Sequence, residues 1–101
     1  MLGHLPVVIV TSLHLTAVAD ARPQFDIARE CQFEAGSSKD IRRTCMRDEK
    51  RARRRLEKQW TEFSPSDKAW CTREVSRTLA RSYVELLTCL QMEKHGQQTG
   101  N

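Results

Sequence analysis

Four cysteines in two matched settings constrain this chain more than any other feature. Thirteen residues separate Cys31 from Cys45, and seventeen separate Cys71 from Cys89. The second cysteine of each pair sits in nearly the same frame. Ser38, Thr44-Cys45 and Glu49-Lys50 recur 44 positions later as Ser82, Thr88-Cys89 and Glu93-Lys94. A constant offset of this kind predicts a duplicated Cys–helix–Cys unit. It makes the cysteines a framework rather than a reactive site.

The first 21 residues differ from the rest. They hold no Lys or Arg and one acid, Asp20. The apolar run at 5–13 falls short of the roughly 20 residues needed to span a bilayer. Ala17, Ala19 and Ala21 fit the small-residue cleavage rule of a secretory signal, with His4 where Lys or Arg is usual. The expected organisation is a signal peptide at 1–21, a disulfide-stapled helical domain at 22–96 and a flexible tail at 97–101. Cleavage after Ala21 leaves 80 residues carrying all 17 basic side chains and 12 of the 13 acids, a net charge of +5. So short a chain builds a thin core and commonly needs staples. Disulfides persist outside the reducing cytosol, so cysteine count and export signal support one another. The expected location is periplasmic or secreted.

Helical punctuation fills the remainder. Residues 21–38 read as an irregular arm broken by Pro23 and Gly36, from which Phe25, Ile27 and Phe33 can pack onto helices. A long helix is expected over 39–63, capped by Ser37 or Ser38 with Asp40 in its first turn. Ile41, Cys45, Ala52, Leu56, Trp60 and Phe63 recur at helical pitch along it. Glu49 stands four residues before Arg53, the favourable order for a surface ion pair. Ser64-Pro65-Ser66-Asp67 starts a second helix running to about Leu79, with Cys71, Val75 and Leu79 on one face. Ser82-Tyr83-Val84-Glu85 reads as the capping box of a third, whose expected stop is Gly96 after Lys94 and His95. The fold class is therefore all-α: a small three-helix domain with an N-terminal arm, stapled by two disulfides.

Four cysteines allow three connectivities. Cys71 and Cys89 lie equally far from the turn near residue 80, which brings them level in an antiparallel hairpin. The pairing Cys31–Cys45 with Cys71–Cys89 is favoured on that ground. Cys45–Cys89 with Cys31–Cys71 is the alternative.

The sequence shows no catalytic constellation and points away from an enzyme. Zinc ligands usually stand two to four residues apart, which these cysteines do not. His95, the one histidine past residue 21, suits a helix end. Neither a cofactor nor a small-molecule substrate is indicated. Trp60 and Trp70 read as core anchors. Glu49 and Glu93 read as solvated helix-surface charge. The partner signal is the basic run over 42–58, where nine of 17 residues are Lys or Arg. Arg47, Arg51, Arg54, Arg55 and Lys58 are the candidate contacts for an anionic envelope component or an acidic protein. A nucleic-acid partner requires that the N-terminus stays uncleaved and the protein cytosolic, and is disfavoured by export.

The stretch Ser82-Tyr83-Val84-Glu85-Leu86-Leu87-Thr88-Cys89-Leu90 resembles small exported bacterial proteins of unknown function that carry paired cysteines. The likeness covers about Cys31 to Glu93 and implies no activity. In the first copy Lys39 stands where the second has Tyr83. A weaker likeness, on Cys45, Ala52, Leu56 and Trp60, is to the LprI-type lysozyme-inhibitor family. It implies inhibition of a cell-wall hydrolase as an alternative function. That family's Asp-x-x-Leu-Asn signature is absent.

Overall fold

The computed structural model describes residues 21–78 and 81–99. The expected signal peptide, apart from Ala21, lies outside them, as do Leu79 and residues 100–101. Four α-helices are present among the described residues: α1 (Ile27–Ala35), α2 (Lys39–Gln59), α3 (Pro65–Arg77) and α4 (Tyr83–Thr99). A single 3₁₀ turn, Trp60–Glu62, extends α2. The chain is all-α and carries two disulfides, Cys31–Cys45 and Cys71–Cys89. These are the favoured pairs, with Cα atoms 5.6 and 5.7 Å apart.

The architecture is two helical hairpins laid together. Disulfides tie α1 to α2 and α3 to α4, and α2 packs on α4 across the seam. Leu56 from α2 and Leu86 and Leu90 from α4 are almost wholly buried there. Cys31 and Cys71 are fully buried, so each bridge is part of the core as well as a tether. Trp60 and Phe63 close one end, and Lys68 and Lys94 place ammonium groups 5.1 and 5.8 Å from the centres of these two rings. The rings of Phe25 and Tyr83 meet at a tilt of 52° with centres 5.0 Å apart, and the Tyr83 hydroxyl accepts from the Phe25 N–H at 2.9 Å.

Serine side chains start α2, α3 and α4. Ser38, Ser64 and Ser82 each accept from the N–H three residues on, at 3.2, 3.1 and 3.1 Å. Each satisfies one of the donors that a helix start leaves without an intrahelical partner.

Several expectations are corrected. The arm is not irregular: Asp26 caps α1 through the Arg29 N–H, and Gly36 ends it with φ at +58°, where glycine is favoured. A helix of nine residues is marginal alone. Burial of Ile27 and the bridge from Cys31 hold this one. Phe33 is 71% exposed because it sits on the outer side of α1, and Ile41 is 50% exposed because α2 begins beyond the reach of α4. At the other end, α4 runs through Gly96 to Thr99 instead of stopping. A side chain at Gly96 would meet nothing within 4 Å, so packing does not demand glycine there.

Candidate functional site

The outward side of α2 is a ridge of cations. At about 100° per residue, Arg47, Arg51, Arg54, Arg55 and Lys58 fall within one quadrant or little more, opposite the buried Cys45, Ala52 and Leu56. They span about 16 Å along the axis at 1.5 Å per residue. All five are exposed. Arg47 lies 3.4 Å from Asp48, an exposed contact worth little in water. Arg51, Arg54, Arg55 and Lys58 have no carboxylate in ion-pair range among the described residues. An open trough of about 640 Å³ runs beside them, lined by Lys39, Arg42, Arg43, Arg47, Lys50 and Arg54. The five candidates therefore share one face of a long helix, and two of them also line the trough.

On the opposite side of α2, Glu49 does something quite different. It is 4% exposed, not solvated. Its carboxylate accepts from the Ser82 hydroxyl at 2.6 Å, from the Tyr83 N–H at 2.8 Å and from the Val84 N–H at 3.3 Å. It thus sits on the positive end of α4, where orphan N–H groups and the helix dipole both favour an anion. Ser82 forms its half of the expected capping box by accepting from the Glu85 N–H, while Glu49, 33 residues away, satisfies the donors at the helix start. The surface pair with Arg53 is replaced by this contact between hairpins.

Glu30 of α1 is buried near the same junction. Burial pushes its carboxyl above the usual glutamate range, and the nearby charges of Glu49 and Glu34 push the same way. A backbone hydrogen bond from Arg81 opposes them. The donors around these two carboxylates belong to the backbone and to a helix cap, which makes the pair a structural junction between hairpins.

Of the two tryptophans, Trp60 is in the core, whereas Trp70 is 45% exposed on the outer side of α3. All four cysteines are oxidised. Among the described residues, no group of three His, Cys, Asp or Glu side chains is placed to hold a metal ion. No described helix is long and apolar enough to cross a membrane. His95 lies within α4 rather than at its end.

Sequence reasoning missed Glu49, Ser82 and Glu30 as a unit. Their signal was present in the shared 44-residue offset of Ser38 with Ser82 and Glu49 with Glu93. That offset marks positions but does not say which serine a glutamate will meet. No known protein family, curated protein or solved structure matches the chain. Fold and site define its class: a small all-α domain of two disulfide-stapled hairpins with a cationic outer helix.

Proposed function

We propose that the protein is an exported, non-enzymatic binding module that docks an anionic envelope component or acidic protein through the outer face of α2. One observation carries the reading: Arg51, Arg54, Arg55 and Lys58 stand together and outward on one helix, unmatched by carboxylates among the described residues. Closely spaced like charges repel one another, and an anion relieves that cost. The two disulfides support an oxidising, extracytoplasmic location. Internal duplication belongs to the same reading. Ser38 and Ser82 each cap a helix, and seven residues on each helix is bridged back to the one before it.

The test is binding of the oxidised protein to anionic phosphatidylglycerol vesicles and to an immobilised acidic polypeptide, across a salt series. The ridge predicts binding that weakens as salt screens it. The triple variant Arg51→Glu, Arg54→Glu, Lys58→Glu should lose at least tenfold while keeping its helical circular dichroism. Undiminished binding by that variant would sink the proposal.

A further inference from the structure

The outer side of the second hairpin carries a groove whose chemistry is the reverse of the α2 ridge. It encloses about 370 Å³ between α3 and α4. Its apolar surface comes from Trp70 and Val75 on one wall and Cys89 and Met92 on the other. Glu74, Glu85 and Glu93 stand along it, and the lining includes no Lys or Arg, in a chain that has 17 of them. The walls are regular. Glu85, Cys89, Met92 and Glu93 follow helical spacing on α4, and Trp70 and Glu74 do so along α3, with Thr78 just past its end. Each wall is about 12 Å long, room for two turns of a helix. The Cys71–Cys89 bridge fixes the spacing of the walls.

Two large apolar side chains are left in water here. Trp70 is 45% exposed and Met92 67% exposed. The chain's own cations already show what the groove accepts. The Arg73 guanidinium lies 5.9 Å from the centre of the Trp70 ring, and Arg77 reaches Glu74 at 3.5 Å. Both are exposed contacts that a competing cation can displace.

We propose that this groove docks a cationic amphipathic helix of another protein. The apolar stripe of that helix would seat on Trp70 and Met92, and its Lys or Arg side chains would face Glu85 and Glu93. Helix-in-groove recognition has this anatomy, and the flexible thioether of Met92 adapts to the anchor it meets. Because the protein as a whole is cationic, diffuse attraction works against such a ligand. Binding therefore reports the groove itself.

The experiment titrates the full oxidised protein, labelled at its methionine methyl groups, with a 14-residue amphipathic Leu/Lys peptide. A scrambled peptide of the same composition is the control. Met46 stands beside the basic ridge and Met92 on the groove, so the unmutated protein carries its own reference. The expected result is a saturable shift of the Met92 methyl with Met46 still, at least tenfold weaker for the scrambled peptide and for Glu85→Lys with Glu93→Lys. Movement of neither methyl, movement of Met46 alone, or equal response to both peptides would overturn the proposal. So would a Met92 shift that follows protein concentration without peptide, since a second copy of the chain would then fill the groove.

Discussion

The two hairpins are built to one plan and finished for different ends. In each, a serine caps the longer helix, and a cysteine seven residues on bridges back to the fully buried cysteine of the shorter one. Four residues past the bridge, the first hairpin has Glu49 and the second has Glu93. Glu49 is covered by the partner hairpin and takes three hydrogen bonds, whereas Glu93 lies half-exposed beside a groove. What separates them is what lies opposite. The N-terminus of α4 faces Glu49, and nothing in the described chain covers Glu93. A motif repeated in sequence thus fixes where a side chain leaves the helix, while tertiary packing decides what it does.

The sharpest way to break this comparison is to open the bridges one at a time. The loops closed are of similar length, so the chain-entropy account gives about 3 kcal/mol for each. Cys31→Ser with Cys45→Ser and Cys71→Ser with Cys89→Ser should therefore lower denaturant stability by nearly equal amounts. A large inequality would mean that one hairpin depends on its neighbour for order.

Next come the matched glutamates. Glu49→Ala leaves Ser82, Tyr83 and Val84 facing a void and should cost about 2–3 kcal/mol. Glu93→Ala should stay within about 0.5 kcal/mol, as surface changes usually do. Equal losses would show that burial of Glu49 is not what holds the seam. The capping serines carry the same asymmetry. Ser38→Ala should cost about 1 kcal/mol, and Ser82→Ala about 2, because only Ser82 also donates to a buried carboxylate. Thermal melts of the two variants side by side read this directly.

Glu30 sharpens the comparison through pH. Its carboxyl is raised in the folded state, first by burial and then by the charges of Glu49 and Glu34. The folded protein therefore takes up this proton before the unfolded chain does as pH falls. Its contribution to stability is fully present at acid pH and is lost as pH rises through the raised value. Glu30→Gln should accordingly be more stable than the parent at pH 7, with the advantage shrinking as pH falls through the raised value and levelling off once the normal glutamate range is passed. A constant difference across pH would disprove the coupling. A small effect of opposite sign belongs to Gly96→Ala in the last turns of α4, a gain of about 0.5–1 kcal/mol from helix propensity in open space.

Much of this fold was legible because local rules and tertiary structure agree. Ser38, Ser64 and Ser82 mark three helix starts in sequence and occupy them in space. The cysteine spacing gave the pairing because antiparallel hairpins bring such residues level. Three features were not legible, each for a physical reason. The helix α1 has its cap at Asp26 and its stop at Gly36, but it is too short for periodicity to declare itself, and a bridge holds it. Glu49 looks like any surface glutamate until the start of α4 is placed against it. Trp70 carries the hydrophobicity of a core residue, yet Cys71, its neighbour, takes the buried position on α3. The candidate cations were legible as residues, and the helix adds their common face.

Both bridges join cysteines that are consecutive in the chain, and none crosses the seam. A chain appearing N-terminus first at an oxidising face presents Cys31 and Cys45 together while Cys71 is still to come. An oxidant that acts in order of emergence, with no proofreading, makes both native links. Under the proposed export, biogenesis of this protein should accordingly be indifferent to loss of a disulfide isomerase and sensitive to loss of the thiol oxidant, a difference that pulse-labelling with thiol trapping resolves.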